Sequence, residues 1–456
     1  MACEDTICAV ATPSGVGGVA IVRISGSKSL QIGKSLLLDA HSDAHSDAHS
    51  DVHFVPRHVY YGSISSLDYV LATYFEAPNS YTGEDVVEIS CHASPYILQK
   101  ILSLCTDAGA RMATAGEFTK RAFLNGKLDL SQAEAVADII SSDNAASHRL
   151  ALQQLRGGLS NEMTVLRENL LHLTSLLELE LDFGEEDVEF ASREELVKLL
   201  KEIRERATSL CNSFTLGNAI KEGIPVAIIG KPNVGKSTLL NALLREERAL
   251  VSDVAGTTRD SIEDTLVING VKFRFIDTAG LRDSNDVVEK MGVSRTYEKM
   301  RQAAIWLYVF DVTEMTVGDV MAEVRDIAVP SPSQKIILVG NKCDLLSGEA
   351  FENHECIFIS AKNSEISTLQ KKLLELSGAD NINQDAVILT NVRHYEVLSK
   401  VIEETNQAIN ALEDHVSTDI LAQHLHTALN HIGKITGKIL PADILSNIFG
   451  KFCIGK

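Results

Sequence analysis

Apolar and polar positions change their period along the chain, and the changes mark its parts. In residues 1–124, short β-rich runs at 6–12, 18–25, 69–77 and 85–92 are broken by glycine and polar clusters, which predicts strands. Residues 97–105 read as a helix stopped near Gly109. From 125 to 217 the period becomes helical. Ser131-Gln132-Ala133-Glu134 has the form of a capping box. Leu166, Leu170, Leu173, Leu177 and Leu181 recur every three or four residues as one apolar stripe. The helical pattern returns after 379, at 392–411 and 420–435, with Leu421, Leu425, Ala428 and Ile432 on one side. Between these stretches lie continuous apolar runs at 224–229, 273–276, 336–339 and 357–359, the pattern of buried strands.

This order predicts a multidomain chain: an α+β unit at 1–124, a helical domain in two parts at 125–217 and 379–456, and an α/β domain inserted at 218–378. Insertions succeed at surface loops, so a split helical domain is the simplest arrangement. The length of 456 residues suits about two to four domains, and 45% hydrophobic content supplies several cores.

The run 224–229 is followed by Gly230-Lys231-Pro232-Asn233-Val234-Gly235-Lys236-Ser237 and then by a helical stretch from Ser237. Strand, Gly-x-x-x-x-Gly-Lys-Ser, helix is the phosphate-binding loop. Glycines let backbone N–H groups turn around an oligophosphate, and the helix start adds its positive end. Lys236 reaches the outer phosphates, and the Ser237 hydroxyl can ligate Mg²⁺.

Four further elements follow in order. Gly256-Thr257-Thr258 lies in a loop where a hydroxyl completes the Mg²⁺ shell. The run 273–276 ends in Asp277-Thr278-Ala279-Gly280, whose Asp holds Mg²⁺ through water and whose Gly N–H senses a γ-phosphate. The run 336–339 leads to Asn341-Lys342-Cys343-Asp344, and 357–359 to Ser360-Ala361-Lys362. The Asp344 carboxylate accepts from guanine N1–H and N2–H₂, a donor pair adenine lacks. The Ala361 N–H meets guanine O6. Val234, Gly235, Thr238, Ser252, Asp253, Val254 and Ala255 complete the expected GTP site. This region resembles the translation-factor-like GTPases. Leu281 stands where Ras-like proteins carry a water-orienting glutamine, so hydrolysis needs another polar group.

Charge and cysteines narrow the class. A net charge of −20 argues against non-specific coating of nucleic acid, while leaving room for a local basic patch or a basic partner. Eight cysteines without paired spacing fit reduced thiols in the cytoplasm. No apolar run reaches the length of a membrane span. The acidic start Met1-Ala2-Cys3-Glu4-Asp5 lacks the basic stretch of a secretory signal. The tandem repeat from His41 to His53 is read as an exposed loop, because Ser and Asp are poor helix formers. Glu185-Glu186-Asp187 is read as a solvated face.

The ends of the chain carry a further resemblance. Asp5-Thr6-Ile7, Ala11-Thr12-Pro13, Gly17-Gly18-Val19 and Arg23-Ile24-Ser25-Gly26 resemble the tRNA-modification GTPases of the MnmE (TrmE) family, in the TrmE-Era-EngA-YihA-Septin class. So do residues 77–85, residues 116–130 and the tail Phe452-Cys453-Ile454-Gly455-Lys456. The resemblance implies an N-terminal folate-binding domain that makes a homodimer, and work with a flavoprotein, MnmG, that holds FAD and uses NADH. Together they would modify C5 of the wobble uridine of tRNA with a one-carbon unit from 5-formyl- or 5,10-methylene-tetrahydrofolate. It places Arg23, Glu88, Lys127 and Lys456 at folate, and Asn233, Ser252, Val254 and Thr257 around K⁺. It places Ser237 and Thr258 at Mg²⁺. Glu289 is placed at the attacking water. Lys236, by its reach to the outer phosphates, and Cys453, as the thiol beside Lys456, are the other candidate catalytic groups. His92-Ala93-Ser94 departs from the family's His-Gly-Gly.

Plainer readings stand beside these. Arg23 is equally a surface ion-pair residue, Glu88 the polar face of a strand, and Cys453 a small buried hydrophobe. Two rival functions remain open: a ribosome-assembly or signalling switch without covalent chemistry, and a folate enzyme whose GTPase domain only regulates it.

Overall fold

The structure is a computed structural model that describes residues 5–39, 54–182, 192–248, 264–276, 303–327, 334–345, 356–377, 386–439 and 442–456. The histidine repeat and Glu185-Glu186-Asp187 lie outside them. The chain divides into two compact units. One holds Met1–Ile140, Gln154–Arg204 and Lys400–Lys456; the other holds Ser141–Gln153 and Glu205–Ser399.

In the first unit, seven strands of the described residues form one sheet in the order β3-β4-β5-β6-β2-β1-β7. They are β1 Ile7–Val10, β2 Gly17–Ser25, β3 Leu38–Asp39, β4 Val59–Ile64, β5 Asp68–Phe75, β6 Val86–Ala93 and β7 Arg111–Met112. Helices α1 Ser29–Leu36 and α2 Pro95–Asp107 cover one face, burying Val22, Ile24, Val87, Ile89, Ile101 and Cys105. The predicted strands are all present. α1 and β4 carry no strong start or stop signal and are additions. Helix α3 is Glu117–Leu124 and α4 is Leu130–Ser141.

The cap of α4 corrects the expected one. Asp129 Oδ1 accepts from the Gln132 N–H (2.9 Å), and Gln132 Oε1 accepts from the Asp129 N–H (3.0 Å). The reciprocal box is therefore Asp129–Gln132, two residues early. Asp129 stands where the first orphan N–H groups need an acceptor, and Ser131 is fully buried inside the helix. Helix α5 spans Ala145–Leu155, and the leucine stripe lies on α6, Gly158–Asp182, with Leu166, Leu170 and Leu173 at 0% exposure. Helix α7 runs Arg193–Glu222.

In the second unit, six strands of the described residues run in the order β13-β12-β11-β8-β10-β9. They are β8 Ile224–Ile229, β9 Asp264–Ile268, β10 Val271–Phe275, β11 Ile305–Asp311, β12 Lys335–Asn341 and β13 Cys356–Phe358. All pairs are parallel except β9 with β10. Helices α8 Lys236–Arg248, α9 Val317–Ile327 and α10 Ser367–Ser377 follow β8, β11 and β13. Chain order reverses at β8, which has β10 on one side and β11 on the other, so a ligand crevice is expected at the strand ends there. The remaining helices are α11 Val392–Glu413, α12 Thr418–Thr436 and α13 Ala442–Phe449. The stripe of α12 is buried as expected, from Leu421 at 3% to Ala428 at 0%.

Candidate functional site

The phosphate loop joins β8 to α8 and needs unusual backbone. Gly230 has φ +149° and Gly235 φ +94°. A Cβ on Gly230 would run into the Val309 carbonyl, and one on Gly235 into the Asn341 side chain. Asn233 also takes the left-handed region, φ +63°, which asparagine tolerates better than most side chains. The Lys236 ammonium donates to the carbonyls of Gly230 (2.8 Å) and Lys231 (2.6 Å). Burial pulls its pKa below the ordinary lysine value. Ser237 and Thr238 follow in the first turn of α8.

Three separate segments meet at this loop. Asn341, at the end of β12 and 3% exposed, donates from Nδ2 to the Val234 carbonyl (2.8 Å). Its Oδ1 accepts from the Ala361 N–H (3.0 Å), the donor expected to face guanine O6. Asp344 Oδ1 accepts from the Ser360 hydroxyl at 2.8 Å. Asp344 is exposed and oriented by Ser360, so a base on it would have to bring the desolvation that selectivity needs. Lys342, at φ +68°, reaches Asp311 Oδ2 at 2.5 Å. Burial opposes charge on Asp311, but Lys342 and Thr313 hold its carboxyl below the usual range. Lys362 follows Ala361 in the same turn.

Asp311 and its strand β11 are absent from the sequence reading. All seven residues of β11 are buried. The available signal was an acid closing the apolar run Ile305–Asp311. Ser252, Asp253, Val254, Ala255, Gly256, Thr257, Thr258, Asp277, Thr278, Ala279, Gly280, Leu281 and Glu289 lie outside the described residues.

The first unit holds the other candidate residues, and two of them, Arg23 and Glu88, stand on its sheet. Arg23 on β2 pairs in register with Glu88 on β6, Nε to Oε1 2.8 Å. Its guanidinium also lies over the rings of Tyr81 (5.2 Å) and Phe118 (5.6 Å). The pair is neither plainly exposed nor isolated, at 19% and 25% exposure. Lys127 Nζ donates to the Pro78 carbonyl at 2.9 Å. The tail reaches this sheet: the Gly116 N–H donates to the Cys453 carbonyl (3.3 Å), and Gly455 stands against Val10, the last residue of β1, and Ala11 after it. Cys453 is exposed, so its reading as a small buried hydrophobe does not hold. Tyr81 and Phe118 are the residues that sequence reasoning did not single out.

The family description "MnmE helical domain" matches residues 130–453, and "GTP-binding protein TrmE N-terminus" matches 6–127. A protein called tRNA modification GTPase MnmE in Flavobacterium johnsoniae is 49% identical over 99% of both chains. The chain belongs to the MnmE family. A relative of the same name in Cytophaga hutchinsonii is 48% identical over 99% of this chain and 98% of its own. A solved structure of Era with MgGDPNP and part of 16S ribosomal RNA shares 30% identity over 33% of this chain; its TM-score of 0.26 is too low to add an argument. The match to the helical-domain description ends at Cys453, and Lys456 lies three residues beyond it.

Asp344→Asn tests base selection directly. The change puts a donor opposite guanine N1–H, and GTP affinity should fall by about tenfold or more while xanthosine triphosphate gains. Competition binding reads the ratio; unchanged GTP binding would remove Asp344 from the base site.

Proposed function

We propose that this protein is a GTP-hydrolysing enzyme of tRNA modification. With a flavoprotein partner of the MnmG type, holding FAD and using NADH, it places an aminomethyl or carboxymethylaminomethyl group on C5 of the wobble uridine. The observation that carries the GTPase half is the meeting of Lys236, Asn341, Asp344 and Ser360 at one end of a parallel sheet. The printed name of the relatives supports the tRNA half. The domain plan proposed with it is a folate-binding domain at 1–124, a helical domain at 125–217 and 379–456, and a GTPase domain at 218–378.

Each residue has a task. Lys236 exchanges the carbonyls of Gly230 and Lys231 for outer phosphate oxygens. Ser237 and Thr258 are hydroxyls suited to Mg²⁺. Leu281 cannot orient water, so Glu289 takes that place. Asn233 presents a side-chain oxygen from the loop, as fits K⁺ shared with Ser252, Val254 and Thr257; such a cation would supply positive charge beside the β–γ bridge. GTP turnover should then be at least about tenfold faster in KCl than in NaCl at equal ionic strength. Asn233→Ala should erase the difference, and Glu289→Ala should stop hydrolysis but not binding. Equal rates for the unaltered protein would remove the cation from the scheme.

Arg23, Glu88, Lys127 and Lys456 suit a tetrahydrofolate, whose one-carbon unit would be shielded by the docked tail with Cys453 beside it. The outer sheet face supports a homodimer. Val19, Val59, Tyr61, Tyr69 and Leu71 are all at least 46% exposed, and the Tyr61 and Tyr69 rings stack at 5.9 Å. An apolar face of that kind commonly marks an interface. Among the described residues no helix is long and apolar enough to cross a membrane; work on tRNA in the cytoplasm is the setting proposed. Nucleoside analysis of tRNA from cells lacking the protein tests the whole reading. An unchanged wobble uridine would refute it.

A further inference from the structure

We propose that Lys231 is a positioning residue of the phosphate loop, tethered by Glu323 of α9, and that this ion pair sets the affinity for guanosine di- and triphosphate. The proposal rests on the GTP reading of the site.

Lys231 is the first residue of the loop after Gly230. Its Nζ lies 3.0 Å from Glu323 Oε2 and 3.5 Å from Met315 Sδ. The stretch it begins has few backbone anchors available: Pro232 has no N–H, and Asn233 is held in the left-handed region. The far half of the loop is secured by Asn341 at Val234. Lys231 does the same for the near half.

The acid it binds is itself oriented by its neighbours. The buried Tyr308 hydroxyl of β11 donates to Glu323; burial, then the Glu323 charge, pushes that phenol up to about 12. Helix α9 is closed at its start by a reciprocal cap. Thr316 donates from its N–H (3.1 Å) and hydroxyl (2.6 Å) to Asp319 Oδ2, and the Asp319 N–H donates back to Thr316 Oγ1 (3.3 Å). Asp319 and Glu323 stand four residues apart, hence on one helix face, and Lys231 also acts on Asp319. Exposed ion pairs are usually weak because two free side chains must be ordered at once. Here the acid is already fixed, and the lysine lies on a loop whose shape the ligand needs.

The consequence falls on binding more than on chemistry. The carbonyl of Lys231 is one of the two that hold Lys236. If the near half of the loop strays, the backbone cradle and the Lys236 ammonium move together. Both GDP and GTP use that cradle, so affinity falls for each.

The test uses the full chain and equilibrium titration with fluorescent GDP and GTP. Lys231→Met keeps the stem and drops the charge; Glu323→Gln keeps the shape. Each should raise both Kd values about three- to fivefold, the upper range for a partly exposed pair. Lys231→Arg should stay within about twofold, and the exchange Lys231→Glu with Glu323→Lys should recover most of the loss. The thermal midpoint should stay in place throughout. Unchanged Kd values in the single variants would overturn the tether. So would a double variant no better than the sum of the singles, or a loss of affinity that follows a falling midpoint. An unaltered chain that binds neither nucleotide would overturn the GTP reading itself, and the tether with it.

Discussion

Asn341→Ala is expected to weaken GDP and GTP binding by roughly a hundredfold without unfolding the second unit. The side chain is 3% exposed and closes two gaps, from Nδ2 to the Val234 carbonyl (2.8 Å) and from the Ala361 N–H to Oδ1 (3.0 Å). Alanine leaves a carbonyl and an N–H unpaired in a buried place, at about 1–3 kcal/mol each. Water entry relieves part of that, but the loop and the base segment then lose their common support. The core beneath, with Val226, Leu239, Phe273, Leu307 and Val339, contains no part of Asn341, so the fold should persist. Gly235→Ala supplies an independent check: its new Cβ would strike the same Asn341 amide. Titration calorimetry on both variants decides the matter. Affinity within about threefold of the unaltered protein, where 1.4 kcal/mol is tenfold, would show that Asn341 is not the support.

Arg121→Met is expected to destabilise the first unit by about 3–5 kcal/mol, the usual loss when one partner of a buried ion cluster is removed. Arg121 is 1% exposed. It binds Asp5 Oδ1 (2.7 Å), Glu84 Oε2 (3.1 Å) and Glu117 Oε1 (3.2 Å). Arg111 shares the same acids, at 2.6 Å from Asp5 Oδ2 and 2.7 Å from Glu117 Oε1. Three carboxylates thus face two guanidinium groups. Without Arg121, Glu117 keeps Arg111 beside it, while Glu84 loses the guanidinium it faces in a poorly hydrated place. Urea unfolding followed on the first unit gives the number. A loss under about 1 kcal/mol would mean that the acids hydrate or protonate freely.

The same cluster sets an acid limit. Burial works against a charged Glu117, yet Arg111, Thr114 and Arg121 bring its pKa from 4.5 to about 2. A carboxyl depressed in the folded state contributes stability above its unfolded value and loses it as pH falls through the folded one. The Glu117 contribution is therefore complete above about pH 4.5 and gone near pH 2. In Arg121→Met the acid transition should begin at higher pH.

The two halves of the nucleotide site were legible in the sequence to different degrees. Gly230, Gly235 and Asn233 could be read from the chain alone, because a loop that turns its N–H groups inward demands φ values other residues resist. Asn341, Asp344 and Ser360 were legible as polar residues that follow apolar strands, and the structure ties Asn341 to Val234 and Ser360 to Asp344. The strand β11 was not named, although residues 305–310 form the same kind of continuous apolar run that marks the other buried strands. Its Asp311, which holds Lys342, went with it.

Local chemistry also misled at the start of α4. Ser131 and Glu134 satisfy a cap pattern by spacing, but the reciprocal bonds belong to Asp129 and Gln132. Which of two overlapping patterns wins is decided by what the helix packs against, and Ser131 is needed inside.

The sequence by itself determined the elements: strand runs, helical stripes and the glycine-bearing loop from Gly230 to Ser237 between a strand and a helix. Each depends on residues close together in the chain, where backbone geometry and period act directly. Only the tertiary structure decided the partners: Arg23 with Glu88, 65 residues apart, Arg121 with Asp5 across 116, Lys231 with Glu323, and the tail on β1. Charges and hydrogen-bonding groups act over a few ångströms without regard to chain distance, and their partners are fixed only when the sheets and helices that carry them have packed.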